Sequence, residues 1–150
     1  MMKKLQLALL VMLAVITTAS AQYQRRVLVE EFTNASCPPC AAQNPGFNAL
    51  MLTEDAIVTP IKYQTNWPGV DPFNAQNPTD VATRVSYYGV TGVPNGFVDG
   101  TGIANDCGYY ANAPACLNSA ELQTRAAVTS PVEVLLSHSV TADYDSILIT

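Results

Sequence analysis

Charge is scarce in this chain of 150 residues: Asp, Glu, Lys and Arg together make up 13%, against about 25% in an average soluble domain. Basic residues are scarcest, seven against twelve acidic, for a net charge of −5. Lys3 and Lys4 lie at the extreme N-terminus, so the remainder carries five basic against twelve acidic residues, a net −7. A surface of that sign repels phosphate backbones, and no basic stripe with interleaved aromatics occurs, which excludes nucleic acid as a partner. There is one histidine, His138. No Ser–Asp pattern surrounds it, which excludes a Ser-His-Asp hydrolase and leaves a strand or surface histidine. Asp71, Asp80 and Asp99 lack calcium-loop spacing. The single tryptophan, Trp67, reads with Tyr87 and Tyr88 as packing rather than a ligand platform. No repeat or low-complexity segment is evident.

Long apolar runs are also missing. The longest, residues 5–16, is interrupted by Gln6 and spans about 12 residues, short of the ~20 needed to cross a bilayer. It follows Lys3-Lys4 and precedes Ala19-Ser20-Ala21, a small-x-small cleavage pattern, so residues 1–21 read as a secretory signal with Gln22 as the mature N-terminus. The alternative is a membrane anchor. No other segment could span a membrane, so the mature chain is expected to have no transmembrane segment. Four cysteines follow, Cys37, Cys40, Cys107 and Cys116, and an even count in an exported chain points to disulfides.

Residues 27–32 (VLVEEF) predict a buried strand. From Pro39 to Leu52 the pattern is helical, with two prolines at a start where their missing N–H groups cost nothing and Pro45 placed to kink the helix. Residues 56–63 (AIVTPIKY) predict a second strand, against which Pro60 is an objection. Residues 66–77 are turn-rich. Residues 78–88 predict a helix with Val81, Val85 and Tyr88 on one face, ended by Gly89. Short strands are expected at 95–99 and 101–104, then an irregular excursion. A helix from the capping-box pattern Asn118-Ser119-Ala120-Glu121 follows, to about Val128. After Ser130-Pro131, residues 132–140 and 147–150 read as strands. The chain ends inside one of them, so residues 130–150 are expected to begin a truncated all-β, sandwich-like domain; the alternative is a C-terminal hairpin of the first domain.

Strand, Cys-x-x-Cys at a helix start, helix, strand, helix, strand is an order with a chemical rationale. A cysteine at a helix N-terminus feels the positive end of the dipole and unpaired N–H groups, both of which favour thiolate. The thiolate attacks a disulfide, and a cysteine three residues on resolves the mixed disulfide. Cys37 is thus expected to be the exposed attacker and Cys40 the buried resolver. Alone, the motif also fits a zinc site or a structural bridge.

Gly89-Val90-Thr91-Gly92-Val93-Pro94 resembles the Gly-x-x-Gly-Ile/Val-Pro segment of thioredoxins. Pro45, eight residues after Cys37, and Glu31, six before it, stand where that family carries a helix proline and a buried acid. Over residues 27–128 the chain therefore resembles the thioredoxin-like superfamily, in flavour its exported, outer-membrane-associated members in Gram-negative bacteria. The resemblance implies an α/β fold, a minimal glutaredoxin-like core with helices flanking a central mixed sheet, occupying residues 22–129. It implies a cis Val93–Pro94 bond facing the dithiol, with the Val93 backbone pairing to a bound peptide. It implies that Glu31 exchanges a proton with the resolving cysteine, its pKa raised by burial. Glu30 points to the opposite strand face, so only one of the two should face the core. Lys62 is not assigned a role. The departures are Ser36 in place of an aromatic, Pro-Pro between the cysteines, no room for an N-terminal strand and helix, and apparent insertions at 65–77 and 105–116.

Cys107 and Cys116 read first as a structural disulfide stapling their loop, with a second redox pair or a zinc site as alternatives. Two functions stay open. One is an exported thiol–disulfide oxidoreductase, in periplasm, outer membrane or medium, acting on protein thiols and disulfides. It would need a redox partner and no cofactor beyond the dithiol. The other is a non-catalytic binding or surface-assembly module in which Cys37–Cys40 is a fixed bridge.

Overall fold

The computed structural model describes residues 23–135, 137–141 and 147–149; the leader reading falls outside them. Contacts divide these residues into two units, Arg25–Val128 and a smaller one holding residues 23–24 and those from Thr129 onward.

The larger unit is a mixed α/β layer structure. Strand β1 (Val27–Thr33) is central, and the sheet order is β2-β1-β3-β4, with β2 at Val58–Gln64, β3 at Asn95–Val98 and β4 at Thr101–Gly102. β1 runs parallel to β2 and antiparallel to β3, and β3 pairs antiparallel with β4. Three helices cover the sheet: α1 (Pro38–Thr53), α2 (Pro78–Tyr88) and α3 (Ser119–Ala126). Pro60 sits in an edge strand, the position where a missing ladder donor is tolerated. Pro45 lies inside α1, which continues through it.

The period of two along β1 sends alternate side chains to opposite faces. Val27 and Val29 pack with Phe47 and Met51 of α1 and Leu122 and Ala126 of α3. On the other face Phe32 and Phe97 pack with Val85 and Tyr88 of α2. Both faces are therefore covered, which corrects the expectation that only one of Glu30 and Glu31 faces the core: the two are 1% and 0% exposed. α2 ends as expected, with Gly89 in the left-handed conformation (φ 63°) that costs glycine nothing sterically. Asn118 caps α3, its side chain accepting from the N–H of Glu121 at 3.0 Å. The fourth strand is shorter than the run 101–104, although the N–H of Ile103 still reaches the carbonyl of Gly96 at 3.3 Å.

In the smaller unit, β5 (His138–Val140) pairs antiparallel with β6 (Ile147–Ile149). The strand expected from residue 132 thus starts at His138, since β6 pairs with only three residues of it. Tyr23 and Ser130 form an isolated bridge. Among the described residues no helix is long and apolar enough to cross a membrane.

Candidate functional site

The site grows from the end of β1. Thr33 and Asn34 are buried, and Asn34 holds the turn into α1. Its amide nitrogen donates to the carbonyls of Thr65 (2.8 Å) and Gly69 (3.0 Å), and its oxygen accepts from the N–H of Ser36 (2.8 Å). From the 65–77 segment, Asp71 accepts the N–H of Ala35 at 2.8 Å, and Ser36 Oγ donates to the carbonyl of Val70 at 2.6 Å. Gly69 fits only because it has no side chain: a Cβ there would lie 2.7 Å from that of Ser36. This segment, read as an insertion, is the brace that aims the chain into the dithiol.

Cys37 is the N-cap of α1, and Cys37 and Cys40 are disulfide-bonded. A helix start leaves four N–H groups without helical acceptors. Here Pro38 and Pro39 remove two of them. The N–H of Cys40 donates to Cys37 Sγ at 3.1 Å, and that of Cys37 itself to the Asn34 carbonyl at 3.2 Å. Sulfur thus takes the place of the usual serine or aspartate oxygen of an N-cap. In the reduced form the same N–H would favour a Cys37 thiolate.

The Val93–Pro94 bond is cis, as is Trp67–Pro68. The carbonyl of Val93 lies 3.5 Å from Cys37 Sγ. In the disulfide that sulfur has no proton, so this is a contact; a thiol there would donate. Cys37 is only 3% exposed and Cys40 1%. The expected exposed attacker is therefore covered in the oxidised form, because the Val93 loop closes over the sulfur.

Beneath the helix, Glu31 is fully buried and Lys62 Nζ lies 2.6 Å from its Oε2. The parallel register sets Lys62 opposite Glu31, and its ammonium also lies 5.1 Å from the centre of the Phe47 ring. The Asn44 amide is assigned with its nitrogen toward Glu31, since the reverse would set oxygen against oxygen. It then donates to Glu31 Oε1 (2.6 Å) and the Cys40 carbonyl (3.3 Å) and accepts from Thr33 Oγ1 (3.1 Å). Burial pushes the Glu31 carboxyl above its ordinary range, and the hydrogen bond and charge of Lys62 only partly offset this.

On the opposite face, Glu30 is gripped by Arg84, whose Nε and Nη2 donate at 2.7 and 2.8 Å, and accepts from Tyr63 (3.0 Å) and Tyr88 hydroxyls. Burial alone would raise its pKa, but Arg84 and the two phenols hold it below the ordinary value. The Tyr88 phenol is pushed up to about 12 by burial and its bond to Glu30.

Cys107 and Cys116 are bonded to each other. Their loop reaches the site through Tyr110, whose hydroxyl donates to the Pro94 carbonyl at 2.8 Å and accepts from Gln43 Nε2 at 3.0 Å. Cys37, Cys40, Val93 and Pro94 are thus brought together around one sulfur. Glu31 is linked to the Cys40 backbone through Asn44. Sequence reasoning missed Asn44, Gln43 and Tyr110. The first two stand four and three residues after Cys40, on its helix face, and that spacing was the available signal. Tyr110 offered none.

No family model, curated protein or solved structure matches this chain.

Proposed function

We propose that this chain is an exported thiol–disulfide oxidoreductase of the thioredoxin-like superfamily, acting on protein disulfides through Cys37 and Cys40. One observation carries the reading: Cys37 Sγ caps α1, receives the Cys40 N–H at 3.1 Å and lies 3.5 Å from the Val93 carbonyl. A nucleophilic sulfur, a donor that favours its thiolate and a backbone clamp then share one place. The element order from β1 to α3 supports the fold assignment, and two formed disulfides support export.

Written as reduction of a substrate, the Cys37 thiolate attacks one substrate sulfur. A Cys37–substrate bond forms, the substrate disulfide breaks, and its second sulfur leaves as thiolate. Cys40 then gives its proton to the Glu31 carboxylate and attacks Cys37 Sγ. The Cys37–Cys40 bond forms and the first substrate sulfur leaves as thiolate. The substrate gains two electrons and the dithiol loses two; a dithiol protein partner restores it. The reverse sequence oxidises a substrate dithiol.

The test uses the reduced chain. The Cys37 thiol should titrate well below the ordinary value of about 8.5, and Cys40→Ser should retain substrate proteins as mixed disulfides. An ordinary titration with nothing retained sinks the reading. The burial of both sulfurs, at 3% and 1% exposed, favours a second reading, a binding or surface-assembly module with a fixed bridge. A Cys37–Cys40 potential below about −300 mV would select it.

A further inference from the structure

We propose that Tyr110 is a positioning residue of the dithiol site: from the loop closed by Cys107 and Cys116 it fixes the Pro94 carbonyl, and with it the Val93 backbone, against the dithiol helix. The role of Val93 rests on the oxidoreductase reading; the contact does not.

The geometry has three anchors. Tyr110 Oη donates to the Pro94 carbonyl at 2.8 Å. The same oxygen accepts from Gln43 of α1, a side chain only 6% exposed and three residues beyond Cys40. Two residues on, the Asn112 carbonyl accepts the N–H of Gly96 at 2.8 Å. The segment 94–96 is thus held at both ends by the loop, and the loop is held to α1. Gln43 completes the circuit, its Oε1 accepting the N–H of Ala115 at 3.2 Å, beside Cys116.

The disulfide belongs to this device. Cys116 is buried and Cys107 exposed, three residues before Tyr110. The bond ties the exposed limb carrying the phenol to the buried segment that meets α1. A peptide adding to Val93 as a strand needs the N–H and C=O of that residue at fixed positions. A clamp set before the substrate arrives avoids the ordering cost of setting it afterwards. Tyr110 therefore acts on peptide disulfides and is irrelevant to a disulfide too small to touch the clamp.

The experiment compares the reduced chain and its Tyr110→Phe variant on two probes: insulin, whose disulfides lie in peptide chains, and dithiodipyridine, a small aromatic disulfide. A Cys107→Ser/Cys116→Ser variant is compared with the oxidised parent by hydrogen exchange, since a reductant that opens Cys37–Cys40 also opens Cys107–Cys116. Loss of the two half-buried hydrogen bonds of the Tyr110 hydroxyl should slow insulin reduction by Tyr110→Phe about tenfold, in KM rather than kcat, with dithiodipyridine unchanged. With its Cys37–Cys40 bond kept oxidised, the double serine variant should exchange its Val93 and Asn95 amides faster than the oxidised parent. Equal loss on both probes, or none, overturns the role of Tyr110; unchanged exchange at the Val93 and Asn95 amides in the double serine variant overturns that of the disulfide. Hydrogen exchange in the oxidised chain separates this from the oxidoreductase reading. If the parent reduces neither probe, that reading fails, and exchange at the Val93 and Asn95 amides decides the contact. Faster exchange in Tyr110→Phe supports it, and unchanged exchange overturns it.

Discussion

Asn44 ties the acid of the site to the helix above it. Its amide nitrogen, 2.6 Å from Glu31 Oε1, favours the carboxylate over the carboxylic acid. Removing it in Asn44→Ala should therefore raise the Glu31 titration further. A carbon NMR titration of the Glu31 side chain reads this; an unchanged or lower midpoint refutes it. Cys37 and Cys40 stand out in the sequence by chemistry and spacing, whereas Glu31, Val93 and Pro94 were named through the resemblance. Asn44 and Gln43 were not legible, because one amide among many on a helix carries no signal until its partner is known. Tyr110 lies 67 residues from Gln43 and 16 from Pro94, distances that no local pattern spans. Cys37 was misread as exposed because its cover comes from the Val93 loop, more than fifty residues further on.

At the scale of elements, α2 is fastened to β1 by an ion pair between a buried carboxylate and a half-buried guanidinium, as well as by apolar packing. Glu30 is 1% exposed, and Arg84 supplies both guanidinium bonds to it. Arg84→Ala leaves that carboxylate without its countercharge and should destabilise the unit by about 3 kcal/mol, seen as a lower urea midpoint. An unchanged midpoint would show that the two phenols suffice. Helices and strands were legible almost to the residue where proline, glycine and Asn118 mark their ends. The Glu30 cluster was not, because α2 covers the second face only through tertiary packing. At α1 the double proline has a chemical corollary. A helix start is ordinarily an anion site, but here two donors are gone, one serves sulfur and the fourth, the N–H of Cys37, serves the Asn34 carbonyl. Phosphate or sulfate finds no seat, so the start of this helix is selective for sulfur over oxyanions.

At the scale of the whole molecule, the adjacent glutamates pull stability in opposite directions with pH. Glu30 has its pKa depressed in the fold, so its contribution is present above the ordinary value of 4.5 and is lost as pH falls through the folded pKa. Glu31 has its pKa raised, so its contribution is full below 4.5 and is lost as pH rises toward the folded pKa. Together the two contribute most near pH 4.5. In urea titrations across pH, Glu31→Gln should remove the decline above that point; a decline of the same slope in the variant would count against the assignment. The four sulfurs offer a further consequence. No cysteine is free; Cys37, Cys40 and Cys116 are buried, and Cys107 alone is exposed. An external thiolate therefore meets Cys107 first, joins to it and expels Cys116 as the leaving group. Timed alkylation during mild reduction should find Cys116 labelled before Cys37 or Cys40, and the opposite order would contradict it. The chain thus has a fixed sequence of opening, in which the loop bearing Tyr110 yields to a reductant before the dithiol it braces.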